Sequence, residues 1–510
     1  MSHGPEKPAR LPPHFNAKSS CARLEWLLFL TLWFAYGVAI NSGNLNAFGL
    51  QQAGVEAYVE RHHLYLEGSR VERLHVQPVV DAFLYRGHIY PAKQPGQFMF
   101  GACAYFPLHA AGLSYAENYL LTAALVTFLT ASLVTAAASV AVFRLAREFA
   151  PDLRRRELAP DQRGRELAPD PRGRATDSRE LASDSRELAS DSGSLFWPLL
   201  AALSYGLATT AFAYSGIAWH DALATGCLTI ALYLSVRLRR EDSGRKATAL
   251  AACAGLLLGL TVTTSMLPFF MALAVALYFI TLRRWKLTAA FLFGGMLGLL
   301  PLLVYNSICF GNPLLLPNVA GNYSDTFFRL DWTNFTGKLS FYAHMLTLYA
   351  PVFWAGLLGL ALYPSKLRRE QALVCLMLFA LAAYLLNIEA NGTCQYGPRY
   401  LLPAMPLACL GLAGFAYLRA AKRRLIAGAA ATVCALASFL INLVGAMHGA
   451  MLCDFPHSAL ARYLSEMTNG QMRSYPLAAW LLLPLLVCLA LFAHTLAARR
   501  RAARHAFTRA

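Results

Sequence analysis

Charge is what this sequence has least of. Asp, Glu, Lys and Arg make up 14% of its 510 residues, against about 25% in a soluble domain. So few charges cannot clothe a water-soluble fold of this length. Acid is the scarcer sign, with 28 Asp and Glu against 45 Lys and Arg and a net charge of +17. Cysteine is present but unorganised. There is no CxxC and no Cys/His cluster at metal spacing, which excludes a zinc ribbon and a disulfide framework. Most cysteines (Cys227, Cys253, Cys375, Cys409, Cys434, Cys488) lie inside apolar runs. No cofactor is expected, and a divalent metal stays open.

What is abundant is apolar length. Hydrophobic residues are 57% of the chain and mean hydropathy is +0.42. A membrane-crossing helix needs about 20 apolar residues. Runs of that kind stand near 25–41, 119–143, 195–213, 219–236, 248–265, 267–282, 287–305, 345–363, 371–387, 401–418, 425–445 and 477–497. The expected fold class is therefore an all-α polytopic membrane protein with twelve spans. The N-terminus does not read as a cleaved signal peptide, because its polar leader is long and no small-residue cleavage site follows the first span.

The basic residues decide orientation, since cytoplasmic loops carry the Lys and Arg excess. If 97–113 (QFMFGACAYFPLHAAGL) does not cross, the basic runs 7–23, 144–186, 237–246, 283–286, 366–369, 419–424 and 499–509 share one side. Together they hold 35 of the 45 Lys and Arg. Dispersed in this way, the charge suggests loops and not a nucleic-acid face; no nucleic-acid partner is expected. Both termini are then cytoplasmic, and 97–113 lies along or dips into the outer face.

The organisation follows. Residues 1–24 are a leader and 25–150 hold the first span, a large outer loop and the second span. Residues 151–193 form a linker, 194–498 a helix bundle with outer loops 306–344, 388–400 and 446–476, and 499–510 a basic tail. The linker repeats RELAPD at 156 and 165 and RELASD at 179 and 186. It balances charge, holds nothing that could form a core, and is read as a solvated segment without chemistry.

Four places could carry chemistry. In the first outer loop, Leu45, Phe48, Leu50, Val55, Val59 and Leu64 recur at helical spacing. This suits an amphipathic, surface-lying helix that presents Glu56 and Glu60 on its polar side. Next comes VVDAFLYRGHIYPAKQPG, with Asp81 among apolar residues, a tight turn at Arg86-Gly87-His88, then Tyr90 and Lys93 before Pro95-Gly96. Trp219-His220-Asp221 begins a span at its outer end, where ionisable groups are costly unless they face water or a cavity. Last, CQYGPRYLLP (394–403) puts Arg399 at the outer start of a span. Guanidinium is suited to a two-point grip on phosphate.

These segments carry a resemblance. GHIYPAKQPGQFMFGACAYFP, AFAYSGIAWHDALATGCLTIALYL, FGNPLLLPN and CQYGPRYLLPAMP resemble, in one order, segments of bacterial membrane glycosyltransferases of the GT-C superfold. More distantly the chain resembles the protein O-mannosyltransferases and the aminoarabinose transferases of lipid A. The resemblance implies a polyprenyl-phosphate sugar as donor and an acid of the first outer loop as catalytic base. It also implies transfer at the periplasmic or exterior face of the inner (plasma) membrane, to a lipid-linked glycan, lipid or protein acceptor. The distant relatives carry Asp-Glu just after the first span, where this chain has Asn41-Ser42-Gly43-Asn44. The closer group's Ser-Asp-Lys is Pro91-Ala92-Lys93 here. The base is then Asp81, with Glu56 next. Lys93 and Arg399 would hold the phosphate, and His88, Tyr90, His220 and Tyr396 would line the site. Two alternatives stay open: a transporter or flippase of lipid-linked sugar, and an inactive scaffold of the same fold.

Overall fold

The computed structural model describes residues 17–69, 82–149, 195–241, 244–322, 332–390, 392, 395–449, 459–470 and 473–509. The expected linker, 151–193, lies outside them. Helices dominate, and the sheet among the described residues is a single two-stranded hairpin. This is an integral, multi-pass membrane protein.

Among the described residues, seven helices are long and apolar enough to cross a bilayer: Cys21–Ala39, Tyr119–Phe149, Arg245–Thr264, Trp285–Phe310, Arg399–Tyr417, Ala421–His448 and Ala478–Arg501. An eighth span exists if Phe335–Tyr349 and Val352–Leu360, bent by 108°, count as one. The twelve expected spans are thus not twelve full-length apolar helices. The 195–213 run divides into Phe196–Leu207 and Thr210–Ser215 at Thr209, whose hydroxyl donates back to the Tyr205 carbonyl at 2.7 Å and accepts from the Ala211 amide at 3.2 Å, capping the second helix. The 267–282 run yields a helix of 13 residues, Phe269–Thr281, entered through Pro268. His220–Arg237 begins on His-Asp and ends on Arg, and Arg368–Leu385 begins on Arg-Arg-Glu. Polar ends shorten the apolar stretch of both.

Packing follows residue size. Arg245–Thr264 lies against Trp285–Phe310 through Gly255 and Gly259 on one helix and Gly294 and Gly298 on the other. A Cβ at Gly255 would fall 1.9 Å from the Phe291 carbonyl oxygen. Small residues spaced four apart are how helices approach closely where lipid removes the hydrophobic drive. The opposite face of Trp285–Phe310 exposes Leu292, Phe293, Met296, Leu300 and Ile308, as a lipid-facing side should. Arg399–Tyr417 is the most enclosed of the seven.

The first loop folds back on the bundle. Its start forms two short helices, Ser42–Ala47 and Gly49–Glu60. The second was expected to lie on the surface with a polar face outward. Instead it is covered by Gly96–Ala110, so that Gln51, Gln52 and Glu56 are all buried. The tight turn at Arg86-Gly87 closes the hairpin Ala82–Tyr85 and His88–Pro91. Arg86 and Gly87 both have positive φ, +50° and +87°, as a two-residue hairpin turn requires.

Candidate functional site

Where the hairpin runs into the next helix, the sequence Lys93-Gln94-Pro95-Gly96 meets the end of Arg245–Thr264. Gly96 makes this possible: a Cβ there would sit 2.4 Å from the Thr264 hydroxyl and 2.8 Å from the Thr263 carbonyl. The close approach sets Lys93 and Gln94 beside Ser265. On the far side, Gly397 at φ +64° turns the chain before Pro398. Tyr214 pins that turn by donating to the Tyr396 carbonyl at 2.9 Å. The turn delivers Arg399, from the other half of the chain, to the same place.

Between them stands Trp219, 2% exposed, immediately before the His220–Arg237 helix. The Lys93 ammonium lies 5.7 Å from its ring centre and the Arg399 guanidinium 5.3 Å. Both distances suit a cation held against an aromatic face. The indole N–H donates to Asp221 Oδ2 at 3.0 Å, and the Ser265 hydroxyl donates to Asp221 Oδ1 at 2.8 Å. His220 Nε2 is 3.4 Å from the same oxygen. Arg399 also stacks on Tyr400, 4.7 Å from its ring, and donates to the Tyr400 hydroxyl at 3.1 Å. Gln94 Nε2 donates to Asn318 Oδ1 at 3.0 Å, tying the first outer loop to the second.

Trp219 aside, these groups line a narrow cleft of about 40 Å³. Its charges are deeply set: Lys93 is 7% exposed, Arg399 9% and Asp221 2%. Buried charges need partners, and in so closed a setting each charge acts strongly on its neighbours. Amide, hydroxyl and imidazole groups surround Lys93 and Arg399. A tetrahedral oxyanion such as a phosphate ester is the ligand this chemistry suits. Among the described residues, no group of three or more His, Cys, Asp and Glu could hold a metal ion.

Of the residues singled out in the sequence, the cleft brings together Lys93, His220 and Arg399. Glu56 lies elsewhere in the first loop, 3.3 Å from Arg61. Nearby, Tyr105 donates to Glu60 and Tyr115 donates to Gln52. His88 sits on the hairpin, stacked on Tyr65 at 4.2 Å and 3.3 Å from Glu67. Tyr90 packs edge-on against Phe310 at 5.4 Å, and burial, aided by Cys309 and Glu67, pushes its phenol up to about 12. Tyr396 points away toward the Ala421–His448 helix, where its hydroxyl donates to the Ile441 carbonyl at 2.6 Å. Asp81 lies outside the described residues. Sequence reasoning did not place Asp221, Ser265, Gln94, Asn318 and Tyr400 in the site. Asp221 had a signal, an acid in the first turn of an apolar helix. Asn318 ended the FGNPLLLPN segment with nothing to mark its side chain, and Ser265 had no signal, being an ordinary loop residue until the chain folds.

No protein-family model matches this sequence, and no curated protein does. Among solved structures, the chain is similar to ArnT from Cupriavidus metallidurans bound to undecaprenyl phosphate. That alignment has 13% identity and a TM-score of 0.49, and covers 96% of this chain and 75% of that one. It is also similar to the oligosaccharyltransferase of Archaeoglobus fulgidus in complex with Zn and sulfate, with 12% identity, a TM-score of 0.47, and coverage of 87% and 55%. The oligosaccharyltransferase AglB of the same archaeon, in complex with an inhibitory peptide and a dolichol-phosphate, gives 12%, 0.44, and coverage of 87% and 58%. The chain spans little more than half the length of the archaeal enzymes. It is the residues of the cleft that carry the functional reading.

Proposed function

We propose that this protein is a GT-C-type membrane glycosyltransferase that moves a sugar from a polyprenyl-phosphate donor to a lipid-linked glycan, lipid or protein. One observation carries the proposal. Each of the four segments that resemble the GT-C enzymes contributes a side chain to the same cleft: Lys93, Asp221, Asn318 and Arg399. Chance likenesses scattered along a chain have no reason to converge.

In this reading Lys93 and Arg399 grip the donor's phosphate. Trp219 and Asp221 hold the two cations at their spacing. A carboxylate takes the proton of the acceptor hydroxyl as its oxygen attacks the anomeric carbon. The carbon–oxygen bond to the phosphate then breaks, and the phosphate leaves with the electron pair into the field of the two cations. The displacement inverts the anomeric centre. Both oxygens of Asp221 already accept hydrogen bonds, which suits a holder. Asp81 is therefore the proposed base and Glu56 the second candidate. The polyprenyl tail would lie between helices beside Met266 and Leu267, which form the apolar wall of the cleft.

The test is a radiolabelled polyprenyl-phosphate sugar in proteoliposomes. Label appearing on an acceptor supports transfer. Label crossing the bilayer unchanged would replace the reading with a flippase, and neither outcome would leave an inactive scaffold. Cysteine-accessibility labelling, in a background without native cysteines, should find positions 92 and 320 outside and 170 and 242 inside. Labelling of position 170 from outside would overturn the orientation.

A further inference from the structure

At the end of the bundle away from the cleft, two spanning helices and the His220–Arg237 helix leave a second cavity between them. It measures about 350 Å³. Glu25 comes from the first helix, Arg144, Arg147 and Glu148 from the end of Tyr119–Phe149, and Arg237 from the end of His220–Arg237. Arg240 follows in the turn after it.

The charges there do not balance. Glu25 accepts from Arg144 at 2.8 and 3.1 Å and from Arg147 at 3.4 Å. Glu148 pairs with Arg240. Arg237 pairs with Glu241 at 3.1 Å, and Lys246 contacts the same acid at 3.1 Å. Three acids therefore face four guanidiniums and an ammonium, and each guanidinium has five N–H donors. Tyr233, largely buried at the base, stiffens the set: Arg144 lies over its ring at 5.6 Å and Arg237 donates to its hydroxyl at 3.0 Å. The site is thus built and preorganised, with surplus positive charge at its mouth. Its depth is marked by Trp26, the neighbour of Glu25, which is 65% exposed. An exposed Trp at the end of a spanning helix belongs at the headgroup level.

We infer that this cavity binds the headgroup of an anionic glycerophospholipid, with its phosphate on the arginines and its acyl chains along the outside of the bundle. Basic pockets between spanning helices take such headgroups. The chemistry recognised is phosphate. The lipid is favoured over a free anion because the cavity opens between spanning helices at the depth of Trp26.

The test uses the full chain in detergent and follows its thermal unfolding on titration with phosphatidylglycerol, phosphatidylcholine or inorganic phosphate. Phosphatidylglycerol should protect, and the other two should not. The paired change Arg147→Gln and Arg240→Gln should weaken the phosphatidylglycerol response roughly thirtyfold, since each Arg near an anionic headgroup contributes about fivefold. Glu148→Gln should do the opposite and strengthen it, a result that general damage to the fold does not produce. Equal protection by phosphatidylcholine would overturn headgroup recognition. Protection by inorganic phosphate as strong as by the lipid would make this a free-anion site and overturn the lipid assignment. An unchanged response in the paired variant, or in Glu148→Gln if the pair does not fold, would overturn the role of the arginines.

Discussion

The two ends of the His220–Arg237 helix handle charge in opposite ways. At its start, Lys93, Arg399 and Asp221 are nearly sealed from solvent and lean on one indole. At its end, the side chains of Arg147 and Arg240 are 38% and 64% exposed and pair directly with acids. The helix has 18 residues, about 27 Å at 1.5 Å per residue, close to the thickness of a bilayer core. The same residue types therefore do different work at its two ends. Sealed charges have few conformations and feel little screening, which suits holding a reacting phosphate. Exposed ones are screened by solvent and open to partners, which suits orienting the protein and meeting lipid.

That contrast can be broken or sharpened by substitution. The largest effect is expected at the proposed base: Asp81→Asn should cut transfer by roughly 10²–10⁴-fold while donor binding stays nearly unchanged, measured as label transfer beside label retention. If Asp81→Asn keeps full activity and Glu56→Gln loses it, the base is Glu56. If neither matters in an active protein, a carboxylate base is the wrong mechanism. Next is Asp221→Asn, which removes the buried carboxylate that faces Arg399 and His220. It should cost about 3–5 kcal/mol, read from thermal unfolding in detergent, and a loss under 1 kcal/mol would show that the cations do not depend on it.

Smaller effects follow. Arg399→Ala should weaken donor binding by about ten- to a hundredfold, since hydrogen bonds to charged groups contribute about 1.5–3 kcal/mol. Lys93→Ala should act in the same direction, and unchanged donor affinity in both would remove the phosphate from this cleft. At the other end, Arg240→Gln should lower stability by no more than about 1 kcal/mol. A larger loss would erase the distinction between the two ends. Deleting 154–190 should change neither membrane insertion nor transfer, because its Arg, Glu and Asp repeats cannot bury a core. Loss of either would expose a function in the linker.

Much of this was legible before folding, and the misses have causes. Lys93, His220 and Arg399 stood out because each is an ionisable residue beside an apolar run, which is a local anomaly. Asp221 stood beside His220 with the same anomaly, but its importance lies in Trp219 and Ser265, which only the fold brings to it. Tyr396 and Tyr90 shared the motifs of the site residues, yet Tyr396 turns to the Ile441 carbonyl and Tyr90 to Phe310. A motif specifies where the backbone goes, and neighbouring side chains then leave it in different directions. The helix at Gly49–Glu60 was legible as a helix. Its burial was not, because periodicity reports an apolar face and cannot report that Phe98 will cover Gly54 from the other side.

The sequence by itself determined the class of this protein, the run of its apolar helices and the lopsided placing of its basic residues. Those properties are sums over neighbouring residues, and transfer into a bilayer depends on such sums. Only the tertiary structure decided that Lys93 and Arg399 share an indole with Asp221, that the first loop folds inward, and which runs become full-length helices. Each of these turns on contacts between residues far apart in the chain, where a glycine, a cap or a bend of 108° fixes the geometry and composition has no say.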